Sequence, residues 1–113
     1  MRIRDLIKSA NLNTIIEGKD FVVKSGITCD LLSVVMSSAK EDSIWITVQK
    51  HLNIVAVAAL REIKAIVITN GIRPEKDVID RAKEEGIWIL TTDEDSFTIS
   101  GKIFNLLHHD DKS

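Results

Sequence analysis

Cysteine and proline are scarce in this chain of 113 residues. Cys29 is the only cysteine, which excludes an internal disulfide and a zinc site made of cysteine ligands. No histidine or other base lies near Cys29 in the sequence, so we interpret it as a small buried apolar side chain rather than a reactive thiol. Pro74 is the only proline, and it follows the turn-like stretch Thr69-Asn70-Gly71 closely.

The sequence also lacks a strong charge of either sign and a long hydrophobic run. The formal net charge is -2, so we expect no binding to the phosphate backbone of nucleic acid. The longest apolar run, Ile54 to Leu60, is far shorter than the roughly 20 residues that a membrane helix requires. The charged start, Met1 to Asp5, lacks the apolar region of a signal peptide. We therefore expect a cytoplasmic protein with no membrane partner.

What is present indicates one folded domain. Hydrophobic residues make up 44% and charged residues 28% of the chain, which is not the composition of a disordered segment. The length fits a single core, because two cores of half this size would each be marginal. We predict one domain over residues 1–108 and a polar C-terminal tail over residues 109–113.

The first third of the chain predicts mixed structure. The spacing of apolar residues predicts a short amphipathic helix from Ile3 to Ala10. Two β-rich stretches, 14–16 and 21–23, flank the turn-like residues 17–20 and predict a hairpin. Asp30 is placed to cap the helix that follows.

The pattern becomes regular from residue 44 onward. Residues 44–48, 65–69 and 87–91 are short and nearly all apolar, as expected of strands covered on both faces. The intervening segments, 49–64 and 70–86, are long enough for the helical crossovers that join parallel strands. The sequence therefore predicts an α/β fold with a mostly parallel sheet built from two consecutive βαβ units.

Local signals mark the later helices. In the second crossover, Pro74 suits the first position of a helix, Gly86 suits its end, and Asp77 can pair with Arg81. The last helix is predicted to begin near residue 95, with Thr92 or Asp93 as its cap. This helix is predicted to carry the apolar residues Phe97, Ile103, Phe104 and Leu107, and Gly101 within it is expected to pack closely against a neighbour.

Trp45 and Trp88 occupy the second position of their predicted strands. In a sheet covered on both faces, the simplest location for them is the core. On an exposed edge or face they would instead anchor a dimer interface.

Polar side chains follow the predicted parallel strands. In such sheets, ligands bind outside the carboxyl ends of the strands, near helix N-termini that offer free N–H groups. The rule predicts a site for a phosphate or other small anion, made of threonines, amides, one histidine and two cations. The predicted ligand-binding residues are Thr47, Gln49, Lys50, His51, Asn53, Thr69, Asn70, Gly71 and Arg73.

The same residues also have a purely structural interpretation. Threonine at strand ends, Asn-Gly in turns and acids at helix starts, such as Asp93 to Asp95, each stabilise local structure. The sequence leaves both alternatives open, so that Thr69-Asn70-Gly71 is either a ligand cradle or simply a good turn.

No catalytic grouping is recognisable. The glycines lack the spacing of a Walker loop or a dinucleotide fingerprint. His51 has no obvious carboxylate partner nearby in sequence, and the consecutive acids Asp93 to Asp95 are unsuited to converge on one metal ion. We predict no catalytic residue, no metal and no cofactor.

Three blocks of sequence together resemble one known family. These blocks, Ser25 to Ser33 (SGITCDLLS), Trp45 to Ala58 (WITVQKHLNIVAVA) and Ile66 to Gly71 (IVITNG), are similar to the DRTGG domain. The resemblance covers nearly the whole chain. Residues 23–26 depart from the name-giving motif, because they keep one glycine of the pair and lack its Asp-Arg.

The resemblance implies a three-layer α/β/α fold, similar to the N-terminal domains of HPr kinase/phosphorylase and of the UDP-MurNAc-peptide ligases. Such domains occur alone or fused to phosphotransacetylases and CBS-domain pyrophosphatases, as accessory modules that often self-associate. We therefore expect a non-enzymatic regulatory domain that forms a homodimer, binds a nucleotide or other small anion, and serves a partner enzyme. The alternative is a scaffold for protein assembly without a small-molecule ligand.

Overall fold

The computed structural model describes residues 1–112, and the surroundings of side chains as far as His109. In this part of the chain no helix is long and apolar enough to cross a membrane. The elements in chain order are α1 (Ile3–Ser9), β1 (Asn13–Ile16), β2 (Ser25–Thr28), α2 (Leu32–Ser38), β3 (Ser43–Thr47), α3 (Asn53–Leu60), β4 (Ala65–Ile68), α4 (Lys76–Glu85), β5 (Trp88–Thr91) and α5 (Ser96–Lys112).

The strands form one mostly parallel sheet in the order β1-β5-β4-β3-β2. β2, β3, β4 and β5 are parallel neighbours joined through α2, α3 and α4, which makes three successive βαβ units. β1 pairs antiparallel with β5 at one edge. The expected α/β class is confirmed, with one βαβ unit more than the two that were predicted.

The predicted N-terminal hairpin is wrong. β1 pairs with β5, more than 70 residues later, and residues 21–23 form no strand apart from one bridge between Val22 and Arg2. The chain instead crosses the backbone of β5 at Gly18, where an added Cβ would lie 2.5 Å from the Gly86 carbonyl oxygen. Because the chain passes over β5 at Gly18, it does not turn back to pair with β1 as a hairpin would. Phe21 then packs into the core.

β2 was not predicted. Its sequence, Ser25 to Thr28, contains two hydroxyl residues and a glycine, and its side chains alternate between half-buried and exposed. It lies at the sheet edge, so it lacks the continuous apolar run of the strands that are covered on both faces.

The core consists of two apolar layers on opposite faces of the sheet. α1 and α5 cover one face, where Trp88 packs with Leu6 and Ile103, and α2, α3 and α4 cover the other, where Trp45 packs with Ile54. The fold therefore has three layers, α/β/α.

Both tryptophans are core residues, with exposed fractions of 0% for Trp45 and 1% for Trp88. The Trp45 indole N–H donates to the carbonyl of Cys29 at 2.8 Å, and that of Trp88 donates to the carbonyl of Lys19 at 2.7 Å. Neither side chain can anchor a dimer interface, so that alternative is wrong. Cys29 is half-buried against the Trp45 layer.

α4 begins later than predicted. Glu75 is its N-cap with extended backbone, and the first helical residue is Lys76, two positions beyond Pro74. Arg81 pairs with Glu85 rather than with Asp77. The predicted end is confirmed, because Gly86 caps the helix with a left-handed φ of 70°.

Of the four apolar residues predicted on α5, Ile103 and, half-buried, Leu107 pack into the core layer that α5 covers. Ile99 and Ile103 are buried, whereas Phe97 is 90% and Phe104 60% exposed. Ile99 and Ile103 are four residues apart and lie on one stripe, and the two phenylalanines point away from it. Gly101 was expected to pack closely, but an added Cβ would have nothing within 4 Å.

The cap and the end of α5 also differ from the expectation. Asp95, rather than Thr92 or Asp93, accepts a hydrogen bond from the Thr98 N–H at 2.7 Å and caps the helix. The helix continues to Lys112, past the start of the predicted tail at residue 109, and Ser113 lies outside the described residues.

Candidate functional site

The carboxyl ends of the parallel strands lie side by side, as the sequence predicts. In the sheet register Thr47 pairs with Ile68, which pairs with Thr91. The loops that carry the predicted ligand-binding residues therefore leave the sheet along one edge.

Asp30 organises the loop after β3. Its Oδ1 accepts hydrogen bonds from the Thr47 hydroxyl at 2.8 Å and from the Val48 N–H at 2.9 Å. The Gln49 side-chain amide donates to the Asp30 carbonyl at 3.1 Å. The prediction that Asp30 caps α2 is wrong, because Leu31 is the N-cap and the Asp30 carboxylate turns to the neighbouring loop. The Thr47 hydroxyl therefore positions a loop.

His51 has a carboxylate partner that sequence distance concealed. Its Nδ1 lies 2.9 Å from Oε1 of Glu75, and the Glu75 N–H donates to the Lys50 carbonyl at 3.4 Å. These contacts connect the loop after β3 to the start of α4. Both side chains are about half exposed, 59% for His51 and 48% for Glu75, so solvent screening leaves this pair little strength.

The Thr69-Asn70-Gly71 stretch is a turn bonded to the loop after β5. Asn70 and Gly71 both adopt left-handed φ angles, 62° and 67°. The Asn70 N–H donates to the Glu94 carbonyl at 2.9 Å, and the Gly71 N–H donates to the Thr92 carbonyl at 3.0 Å. Because both N–H groups are bonded within the chain, the backbone of this turn has no donor left for an anion.

The side chains of the turn are bonded as well. The buried Thr69 hydroxyl lies 2.8 Å from the Ser96 hydroxyl, and the Asn70 amide donates to Thr69 Oγ1 at 3.3 Å. These groups are bonded within the chain, as the structural interpretation expects, and the turn places Arg73 beside it.

A polar hollow of about 320 Å³ lies beside this turn. Arg73 is exposed there and forms no ion pair or hydrogen bond within residues 1–109, so its guanidinium is free to bind an anion. Asp93 lies opposite, and its Oδ1 would be 3.2 Å from a Cβ added to Gly71. The residues that line the hollow are Asn13, Ile15, Gly71, Ile72, Arg73, Thr91 and Asp93.

The nine predicted residues therefore fall into three places. Gly71 and Arg73 line the hollow, and Thr69 and Asn70 form the turn beside it. Five lie between the end of β3 and the start of α3. Lys50 and Asn53 are exposed there, and within residues 1–109 their side chains form no hydrogen bond. The five are Thr47, Gln49, Lys50, His51 and Asn53.

The sequence pattern did not indicate two of the lining residues, Asn13 and Ile15. They lie on β1, which reaches the hollow only by pairing with β5. The local sequence carries no signal of so distant a pairing.

Two of the three acids after β5, Glu94 and Asp95, are used within the chain. Hydrogen bonds from Thr98, first from its backbone N–H, hold the pKa of Asp95 below its ordinary value. Glu94 forms an ion pair with Lys102. Within the described residues, no group of three or more histidine, cysteine, aspartate or glutamate side chains is arranged to hold a metal ion.

The sequence profile of the DRTGG domain matches residues 5–106. The chain belongs to the DRTGG domain family. No curated protein matches this DRTGG domain.

A solved structure has the same fold. It contains the CBS and DRTGG domains of the regulatory region of a Clostridium perfringens pyrophosphatase, complexed with the activator diadenosine tetraphosphate. The match has a TM-score of 0.73 and 22% sequence identity, and it covers 89% of this DRTGG domain. It covers 45% of the pyrophosphatase chain, so the domain spans less than half of that regulatory region.

Proposed function

We propose that this DRTGG domain is a non-enzymatic regulatory module that forms a homodimer and binds a nucleotide or other small anion at the carboxyl edge of its sheet. The observation that carries the ligand is Arg73, whose free guanidinium stands beside a hollow of about 320 Å³. Such a volume lies within the range of about 300–1,000 Å³ that small-molecule sites occupy. The pyrophosphatase regulatory region supports the nucleotide, because it is complexed with diadenosine tetraphosphate.

The residues of the proposed site have two roles. Arg73, Lys50 and Asn53 supply exposed groups without partners among the described residues, so they are the proposed direct contacts. Thr47, Gln49, His51, Thr69 and Asn70 are bonded within the chain and hold the loops that carry those contacts. Gly71 lines the hollow beside Arg73.

The non-enzymatic part of the proposal is supported by how the polar groups are used. The hydroxyls of Thr47 and Thr69 are held by Asp30 and Ser96, and the His51 ring is held by an exposed carboxylate. Within residues 1–109, no hydroxyl or thiol is hydrogen-bonded to a histidine, as an activated nucleophile would be. Signalling would then pass to a partner enzyme in the cytoplasm.

Calorimetric titration tests the ligand directly. We expect ATP, diadenosine tetraphosphate or inorganic phosphate to bind, and Arg73→Gln to weaken binding about tenfold, since a tenfold loss is about 1.4 kcal/mol and hydrogen bonds to charged groups contribute about 1.5–3 kcal/mol. The matched control is Arg81→Gln, because Arg81 lies on α4 and pairs with Glu85. No binding at millimolar concentration, or an equal loss in both variants, would contradict the proposal.

A scaffold without a small-molecule ligand is the second candidate. It is favoured by large apolar side chains on the surface, of which Phe97 and Leu60 are 90% and 71% exposed. Light scattering of the wild-type protein separates the outcomes. A dimer that binds none of the three probes supports the scaffold, and a monomer at high concentration contradicts both the scaffold and the homodimer.

A further inference from the structure

We propose that the outer surface of α2 and α3 is where two copies of this chain meet. The inference rests on the homodimer proposed above and adds the surface and its arrangement. We call this surface the α2/α3 face. It is defined by the outward stripe of α3, Leu52, Ala56 and Leu60, and by the exposed residues of α2 beside it, Leu31, Ser33, Val34, Met36 and Ser37.

The face is uncharged where a surface helix ordinarily carries charges. Residues 31–39 and 52–60 contain no charged side chain, whereas α4 in the same layer is mostly charged. α3 buries Ile54 and Ala58 against the sheet, yet its opposite side is apolar too. A helix that is hydrophobic all round is normally buried on all sides. Leu60 is nevertheless 71% exposed, which indicates a covering partner.

The C-terminal ends of the two helices are bonded to each other. Arg61 follows α3, and its Nη2 donates to the carbonyl of Ala39, which follows α2, at 2.8 Å. The two helices therefore present one surface, and the Arg61 charge is directed into the chain rather than out of the face.

The absence of charge favours a second copy as the partner. A two-fold interface brings one patch against itself, so a charge near its axis would meet its like. The α2/α3 face avoids that cost because its interior is uncharged. The depletion of charged residues is also the compositional mark of the buried part of protein interfaces.

Charges at the ends of the helices are complementary in an antiparallel arrangement of the two copies. Lys50 precedes α3 and Glu62 follows it, while Asp30 precedes α2 and Lys40 and Glu41 follow it. If α2 lies antiparallel on α2 of the second copy, and α3 on α3, then Lys50 meets Glu62 and Asp30 meets Lys40. Lys50, Lys40 and Glu62 form no ion pair within residues 1–109. Because Lys50 is also a proposed ligand contact, the dimer is measured without ligand, where Lys50 is available to Glu62.

α5 also exposes apolar side chains, but its surface is mixed. Charged Lys102 and Glu94 flank the exposed stripe, and the His108 ring stacks on Phe104 with 3.8 Å between ring centroids. This surface is the matched control, because Phe97 is even more exposed than Leu60.

The experiment measures molar mass by light scattering over a range of concentrations. We expect a wild-type dimer, a dissociation constant raised at least tenfold by Leu60→Lys, and no change with Phe97→Lys. Both replaced side chains are mostly exposed, and far-ultraviolet circular dichroism verifies that each variant is folded. Leu31→Lys is the second variant on the same face, since Leu31 is 61% exposed, should Leu60→Lys fail to fold.

Each outcome bears on a different claim. A wild-type monomer overturns the homodimer and this surface with it. A folded Leu60→Lys variant that stays dimeric overturns the surface alone and leaves the homodimer in place. A monomeric Phe97→Lys variant moves the interface to α5.

Charge exchange tests the antiparallel arrangement. Glu62→Lys and Lys50→Glu should each weaken the dimer, and the double variant should recover most of the loss, because the exchanged charges would face each other again. If the double variant is weaker than either single variant, the antiparallel arrangement is wrong.

Discussion

Asp42 connects the turn before β3 to the segment before β4. Its Oδ1 lies 2.5 Å from Nζ of Lys64, and its Oδ2 lies 3.5 Å from Nζ of Lys24. The hydrogen bond from Lys64 is the main reason that the pKa of Asp42 is below its ordinary value. The same bond raises the pKa of Lys64.

The sign of the effect on stability follows from these directions. A lowered pKa means that the Asp42 contribution is fully present above the unfolded pKa of about 3.9 and is lost as the pH falls through the folded value. Because the pKa of Lys64 is raised in the folded state, its contribution to stability is lost as the pH rises through that folded-state pKa, at the alkaline end.

We predict that Asp42→Asn lowers the melting temperature at pH 6 and that the difference from wild type shrinks as the pH falls below about 4. Asparagine suits this position, because Asp42 has a φ of 58° and asparagine tolerates left-handed backbone. Thermal unfolding followed by circular dichroism between pH 2 and pH 7 checks it. A difference that stays constant over that range would show that the carboxylate charge is not the cause.

At the scale of one helix, α5 contains a glycine, Gly101, that lowers its stability and that its structure does not require. Gly101 is exposed in the middle of α5, and a Cβ added there would have nothing within 4 Å. Its φ is not in the left-handed region, so alanine fits the backbone without strain.

We predict that Gly101→Ala raises the free energy of unfolding by about 0.5–1 kcal/mol, the usual difference between glycine and alanine inside a helix. Urea denaturation measures it. Gly86→Ala is the contrasting control, since Gly86 has a φ of 70° and a Cβ there would lie 2.9 Å from Cε of Lys19. That variant should be less stable than wild type. A loss of stability in Gly101→Ala would mean that its surface is covered in solution.

The elements that could be predicted from the sequence are those with strong local patterns. β3, β4 and β5 are apolar runs separated by helix-length segments. The sequence therefore predicted both that they are strands and that they run parallel in one sheet. β1 and β2 lie at the two edges, where strands are partly exposed and the partner of β1 is distant in sequence. Neither fact leaves a local signal.

The candidate site was predictable to the same degree. The sequence predicted which loops leave the sheet at its carboxyl edge, because the ends of parallel strands lie together. The sequence did not predict how the polar side chains at this edge are bonded. Asp30 holds Thr47, Glu75 holds His51 and Ser96 holds Thr69, each from another loop. The three-dimensional contacts show that Arg73, which lines the hollow, has no partner within residues 1–109.

At the scale of the molecule, one sheet separates two apolar layers that share no helix. Each layer contains one fully buried tryptophan, Trp45 with α2, α3 and α4, and Trp88 with α1 and α5. Alternate residues of the same central strands supply both layers, since Ile66 packs in the first and Val67 in the second. Because a strand cannot lose one face and keep the other, we expect both layers to unfold together.

Single-tryptophan variants test this expectation at a fixed protein concentration. In Trp88→Phe the remaining tryptophan reports on the α2–α4 layer, and in Trp45→Phe it reports on the α1 and α5 layer. Within each variant, the urea midpoint from fluorescence should coincide with that from far-ultraviolet circular dichroism, as two-state unfolding requires. Comparison within one variant is needed because each substitution removes an indole hydrogen bond, to the Lys19 or the Cys29 carbonyl, and lowers stability by itself. Separate midpoints in Trp88→Phe would mean that the layer bearing the α2/α3 face unfolds independently of the rest of the sheet.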